Sequence, residues 1–274
     1  MAPRTLSMMD KHAIYPNAGY YYCYCLARGD VSLSLAGLDA IPGGLRPEAR
    51  LIGGLQAIVS RVGSEDYSEE GLKARLERME WVSDAVLDHE QVVEGCLSQT
   101  EVIPLKFCTV FRSESALESA FLGMQDELSA KLRYLVGKQE WGLRLTADRS
   151  RLRQHLEESD SRFRDLRDNF GSKSAGAVYL LRKRLEEQLE RAADQSQCDV
   201  AGQAFTRLAE HATQAALVAD SRIAAAGRDS LMNAAFLVTD KQLARLLEEA
   251  KRVSLEYPWL TCEKSGPWPP YNFV

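Results

Sequence analysis

The spacing of apolar residues along this chain switches repeatedly between two and about 3.6, and that spacing decides whether a segment can lie in a sheet or must coil. Tyr20-Tyr21-Tyr22-Cys23-Tyr24-Cys25-Leu26-Ala27 is built from β-forming residues and stops at Gly29-Asp30. Alternation puts Tyr20, Tyr22, Tyr24 and Leu26 on one face, with Tyr21, Cys23, Cys25 and Ala27 on the other. Gly43-Gly44 and Gly53-Gly54 break the next stretch into turns, and Leu55 to Val62 reads as a second strand. From Asp66 the period is helical. Leu72, Leu76, Met79, Val82, Val86, Val93 and Leu97 form one stripe, with Asp66 and Glu69 spaced as a capping box. Strand spacing returns over Ile103 to Phe111, where Leu105, Phe107, Thr109 and Phe111 share a face and Pro104 suits an end or an edge. Ser113 or Ser115 caps a helix carrying Leu117, Phe121, Met124, Leu128, Leu132 and Leu135, which Gly137 stops. Glu140 to Leu145 is then a strand with Trp141, Leu143 and Leu145 facing together. The alternation predicts a ferredoxin-like α+β domain over residues 20–147, preceded by a flexible segment 1–19.

Residues 148–265 predict a helix-rich α+β domain. Val178, Leu181, Leu185 and Leu189, then Leu208, Ala212, Ala215 and Ala219, recur at helical spacing. The charged face around Arg182, Lys183, Arg184, Glu186 and Glu187 is solvated surface. Ala234 to Val238 is a short strand, and Asp240 caps a helix with Leu243, Leu247, Ala250 and Val253 inward, ended by Tyr257-Pro258.

The last nine residues, GPWPPYNFV, are unlike the polar termini that fray in solution. Burying the three aromatic rings yields on the order of 10–20 kcal/mol gross. Ordering the segment costs about 9–18 kcal/mol. The terms nearly cancel, so the prolines matter because they restrict the unfolded tail beforehand. The expectation is a docked, extended tail over 266–274 anchored by Trp268, Pro269, Pro270, Tyr271 and Phe273, with the Trp268 ring filling a pocket.

Composition narrows function. Apolar residues make up 45% and charged residues 27% of the 274, as in ordinary globular proteins, and the net charge of −5 argues against a nucleic-acid partner. No run approaches the roughly 18 to 20 apolar residues of a membrane span, and MAPRTLSMMDKHAIYPNAGYY has no apolar signal core, so a cytoplasmic protein is expected. The six cysteines form no CxxC pair and have no histidine at zinc-ligand spacing, which suits buried reduced thiols and no metal or cofactor. Cys23 and Cys25, on one face of a strand, fit close packing better than a soft-metal site.

Enzyme signatures are weak. Gly171-Ser172-Lys173-Ser174 lacks the upstream glycine and strand of a phosphate-binding loop and fits a solvated loop. His89 lies on the apolar stripe of its helix and is expected to be a core histidine bonded to a backbone carbonyl rather than a general base. The alternative function is an RNA-binding ferredoxin-like module that stacks bases on Tyr20, Tyr22 and Tyr24, which requires those rings to be exposed.

Four stretches occur in a telling order: VIPLKFCTVF (102–111), GKQEWGLRL (137–145), NAAFLV (233–238) and GPWPPYNFV (266–274). Together they resemble the GvpF/GvpL family of gas vesicle accessory proteins, from the tyrosine strand to the last residue. The matching positions include Pro104, Phe107, Thr109, Phe111, Glu140, Trp141 and Gly142. The resemblance implies a ferredoxin-like first domain, an α+β second domain with long helices, and no catalytic role, cofactor or small-molecule substrate. It also implies partners among gas vesicle proteins, namely the hydrophobic shell protein GvpA and other accessory proteins. Cys108 stands where the family has glycine, and Lys106 where it has arginine, which questions any role needing that glycine's backbone freedom.

Overall fold

The computed structural model describes residues 19–168, 174–219 and 228–274. The chain falls into two units, one running to Val136 and taking in Pro269–Asn272, the other spanning Gly137–Trp268. It is an α+β protein with two antiparallel sheets.

In the first unit, β1 (Tyr20–Arg28), β2 (Glu48–Ile52) and β3 (Leu55–Val62) precede three helices, α1 (Ser64–Tyr67), α2 (Glu69–Leu76) and α3 (Met79–Leu97). Two short strands, β4 (Val102–Pro104) and β5 (Val110–Phe111), lead to α4 (Glu114–Leu122) and α5 (Gln125–Leu135). The sheet order is β2-β3-β1-β4, with β5 also on β1. The register of β1 against β3 shifts between Cys23 and Cys25. This bulge overturns the expected alternation, because one extra residue sends everything after it to the opposite face. Cys25 and Ala27 accordingly join Tyr22 and Tyr24 in one core, together with Tyr67, Trp81, Ala85, Val92, Val93 and Cys96. Cys23 and Cys25 therefore do not share a face. On the other face, Arg50 lies over the Tyr21 ring at 5.8 Å and reaches Glu114 at the head of α4.

The long helix expected from Asp66 is three helices. Ser68 interrupts it and caps α2, its side chain accepting from Gly71 N–H, so the cap is Ser68 and not an Asp66–Glu69 box. The buried stripe of α3 is Trp81, Ala85, His89, Val92, Val93 and Cys96, while Met79 and Val86 are exposed. The helix expected through Leu135 breaks at Gly123-Met124, and Ser113 caps its first half. The predicted strand from Ile103 to Phe111 is β4 and β5, separated by a turn. Residues 29–47, between β1 and β2, contain no helix.

The second unit begins with β6 (Gln139–Asp148), followed by α6 (Arg149–Ser159), α7 (Ser161–Asp168) and the 35-residue α8 (Ala175–Ala209). Next come β7 (Gln214–Leu217), β8 (Arg228–Val238), α9 (Asp240–Glu256) and β9 (Leu260–Trp268), in the sheet order β7-β8-β6-β9. The expected domain boundary after residue 147 thus falls inside the second sheet: β6 pairs with β8 and β9, not with the first sheet. Leu143, Leu145, Ala147, Phe236, Leu246 and Val253 share its core with Ala193, Val200, Ala204 and Leu208 of α8. Ala215 lies in β7 rather than continuing a helix. Thr239 caps α9 in a full capping box with Gln242, one residue before the expected Asp240. Arg149 ties α6 to α8 and β8 by reaching Glu190, Asp194 and Asp229 at 2.5–3.1 Å. No helix among the described residues is long and apolar enough to cross a membrane.

Candidate functional site

Three of the four recognisable stretches meet in the second sheet. Trp141 is opposite Phe236 of β8, and on the other side Glu140 is opposite Trp268 and Gly142 opposite Ser265 of β9. Two residues of β6 thus span three of β9, and the bulge falls at Gly266-Pro267. A Cβ at Gly142 would lie 2.6 Å from Ser265 Oγ, so a side chain there would have to turn that hydroxyl aside. Gly266 has φ +117°, open to glycine only. Trp141 donates from Nε1 to Gln139 Oε1 at 3.2 Å, and Lys264 Nζ lies 4.8 Å above its ring. Glu140 is buried.

Trp268 departs from expectation. It remains 43% exposed, its Nε1 donating to Ser265 Oγ at 3.1 Å, because β9 continues through it and strand register, not tail docking, sets the ring's direction. Residues 266–268 are the end of a strand; the tail proper begins at Pro269 and turns at Tyr271-Asn272, where the Tyr271 N–H donates to the Pro269 carbonyl. Pro269 and Pro270 are buried, and Tyr271 and Phe273 are half-buried. Phe273 groups with the second unit, Pro269–Asn272 with the first.

The remaining stretch and the tail meet around His89 in the first unit. Leu105 N–H donates to the Tyr24 carbonyl and Cys23 N–H to the Thr109 carbonyl, both at 2.9 Å, so the turn between β4 and β5 is stitched to β1. Thr109 closes that turn by donating from Oγ1 and from its N–H to the Lys106 carbonyl. Pro104 ends β4 opposite Cys25, and the ring of Phe111 lies 5.4 Å from Phe121. Phe107 is held 5.9 Å from the His89 ring and 6.4 Å from Trp81. Cys108 has φ +65°, the one non-glycine residue with positive φ among those described, and its N–H donates to the Tyr22 hydroxyl at 3.1 Å. Cys108 thus holds a left-handed conformation that glycine adopts freely.

His89 meets the expected backbone carbonyl, that of Leu105, and its ring nitrogens also face two tyrosine hydroxyls. Its Nδ1 lies 2.8 Å from Tyr22 Oη and its Nε2 3.1 Å from Tyr271 Oη, which is itself 2.9 Å from Glu90 Oε1. Donor counting orients the chain. The Tyr22 oxygen accepts from Cys108, so its O–H is free to donate to Nδ1. A neutral His89 then donates from Nε2 to the Tyr271 oxygen, and the Tyr271 O–H donates to the Glu90 carboxylate. Burial pushes the His89 pKa down to about 4, partly opposed by the Leu105 carbonyl, so the ring is neutral at neutral pH. The Glu90 carboxyl is raised by burial, partly opposed by the Tyr271 bond, with Glu94 adding to the rise. Tyr24 donates to Ser60 Oγ and accepts from Ile41 N–H; burial pushes its phenol up to about 12.

The cluster spends its polar atoms on one another, and Tyr271 brings the tail into it. Sequence spacing placed His89 in the core but gave no sign of Tyr271 as its partner. Tyr22 and Tyr24 are fully buried, which removes the stacking surface that the RNA-binding alternative needs. Gly171, Ser172 and Lys173 lie outside the described residues, as do residues 1–18; Ser174 caps α8.

The family described as gas vesicle synthesis protein GvpL/GvpF matches residues 20–274. Gas vesicle protein L of Streptomyces sp. (strain CB03234) is 28% identical over 259 residues, 92% of each chain. Gas vesicle protein L1 of Halobacterium salinarum (strain ATCC 700922 / JCM 11081 / NRC-1) is 24% identical over 211 residues, 72% of this chain and 73% of the relative. The crystal structure of GvpF from Anabaena sp. PCC7120 superposes with TM-score 0.65 at 18% identity, covering 93% of this chain and 98% of that one. GvpF from Microcystis aeruginosa superposes at 0.59 and 17%, covering 94% and 99%. With the motif stretches paired in the second sheet and clustered about His89, and the family match running from Tyr20 to Val274, the chain belongs to the gas vesicle synthesis protein GvpL/GvpF family.

Proposed function

We propose that the chain is a non-enzymatic assembly factor of the gas vesicle, binding the shell protein GvpA and/or other accessory proteins before or during shell nucleation. The observation that carries this reading is the family match over residues 20–274. A small protein that must present an apolar face to gas aggregates in water unless that face or its strand edges are covered. The factor acts in the cytoplasm and at the growing vesicle.

The edge of β2 favours strand addition as the mode of capture. β2 pairs only with β3 among the described strands, and Leu51 on it is exposed. An extended client segment can add main-chain hydrogen bonds along such an edge. Co-purification of GvpA with the full chain tests the reading. Retention by the parent and loss with Leu51→Lys, at unchanged melting temperature, is the expected result. No retention by the parent overturns GvpA binding, and full retention by Leu51→Lys overturns the edge as its site.

A further inference from the structure

We propose that copies of this chain associate head to tail, the outward face of α3 in one copy lying on the first turns of α8 in the next. Each helix leaves large apolar side chains in water. On α3, Met79 is 73% and Leu87 61% exposed; on α8, Tyr179 is 68% and Leu180 66% exposed. Tyr179 and Leu180 adjoin on α8, and Leu87 follows Met79 two turns along α3; large apolar groups exposed together mark interaction surfaces.

The charges around these groups are opposite in sign, with Glu186 and Glu187 following only after the bases of α8. From Met79 to Leu97 there are five carboxylates, Glu80, Asp84, Asp88, Glu90 and Glu94, and no lysine or arginine. Glu80, Asp84, Leu87, Gln91 and Glu94 follow one another at spacings of four and three, so Leu87 sits in an acidic stripe on the solvent side. The local field registers this: the Asp88 carboxyl is raised by burial and then by Asp39 and Asp84. From Ala175 to Arg184 the pattern inverts. The segment AGAVYLLRKR carries Arg182, Lys183 and Arg184, all exposed, and no carboxylate. Elsewhere in the second unit Arg149, Arg153, Arg207 and Arg252 are held by carboxylates. Among the described residues the three bases of α8 have no ion-pair partner.

A second copy is the occupant that meets both requirements, since the chain itself supplies an acidic apolar helix face and a basic apolar one. Both faces are exposed. The surfaces differ, which makes the contact heterologous, able to repeat from copy to copy.

Sedimentation velocity on the full chain tests this. At low salt the average mass is expected to rise above the 30.6 kDa of one chain with increasing concentration, and to fall back as salt screens the charges. Two reversed variants are then made, Glu80→Lys with Asp84→Lys, and Lys183→Glu with Arg184→Glu. Circular dichroism melting checks that each is folded. Each alone removes the charge match between the two faces and is expected to lose association by more than about tenfold. Mixed together they restore it, because the basic α8 of the first meets the acidic α3 of the second. A parent that stays at one chain's mass at all concentrations leaves these faces to a partner of another kind and overturns the proposal. A reversed variant that associates like the parent, or a mixture that restores nothing, overturns it equally.

Discussion

Tyr271 and His89 are 182 residues apart in sequence and 3.1 Å apart in the fold, and the same tyrosine hydroxyl lies 2.9 Å from Glu90. The hydroxyl therefore satisfies a buried ring nitrogen and a partly buried carboxylate at once. Removing only that oxygen leaves both without their partner, which costs more than the bonds themselves contribute. Tyr271→Phe is expected to lose about 1–3 kcal/mol in urea unfolding. An unaltered midpoint would mean that the hydroxyl does not hold the tail.

The same contact sets a pH dependence. His89 is neutral when folded, with a pKa of about 4, and has its ordinary value near 6.5 when unfolded. The unfolded chain binds the extra proton first, so this contribution is fully present above about 6.5 and is lost as pH falls toward 4. Its full size is about 3 kcal/mol. Glu90 has the opposite sign, since its raised carboxyl favours the protonated folded form. Comparison with His89→Gln isolates the histidine: the parent should lose stability faster than the variant between pH 6.5 and 4. Parallel curves would contradict a buried neutral ring.

Tyr271, not Trp268, should be the costlier of the two rings to truncate. With 43% of its surface in water, Trp268 leaves no closed cavity when truncated, and Trp268→Ala should cost about 1–2 kcal/mol. Tyr271→Ala removes the ring and its two hydrogen bonds and should cost about 3–4 kcal/mol. Deleting residues 269–274 should cost at least as much as Tyr271→Ala. Urea unfolding of the three variants checks the order, and a larger loss for Trp268→Ala would restore the pocket.

What was legible in the sequence was local. The strands around Tyr20–Ala27, Leu55–Val62, Glu140–Leu145 and Ala234–Val238 follow from β-forming residues, and α9 from its apolar period. Sheet membership was not legible, because nothing within Glu140–Leu145 distinguishes pairing with β9 from pairing with the first sheet. The face of Cys25 depends on a bulge created by the partner strand, so alternation failed there. The single helix expected after Asp66 failed for a local reason: Ser68 offers a cap that competes with continuation. The tail's aromatic content announced a docked segment, but which ring would be buried depended on where β9 stops, and GPWPPYNFV contains no mark of that.

Cys108 supplies the last test. With φ +65° it adopts a conformation that costs an ordinary side chain about 1–2 kcal/mol, and it does so to aim its N–H at Tyr22 Oη. Glycine reaches this conformation freely but loses more freedom on folding, about 0.4–1 kcal/mol. Cys108→Gly should therefore match or slightly exceed the parent in stability, with the Tyr22–His89–Tyr271 chain intact. Cys108→Val places a branched carbon where the backbone tolerates it least and should lose about 1–3 kcal/mol. The branch would act by withdrawing the N–H from Tyr22, so the loss should shrink in a Tyr22→Phe background, where no hydroxyl remains to receive it. Unfolding measurements on the two single variants, on Tyr22→Phe, and on the double variant combining Cys108→Val with Tyr22→Phe check this. If glycine proves the worse substitution, or if the valine loss is undiminished without the hydroxyl, the left-handed turn at Cys108 is not what positions the Tyr22 end of the chain.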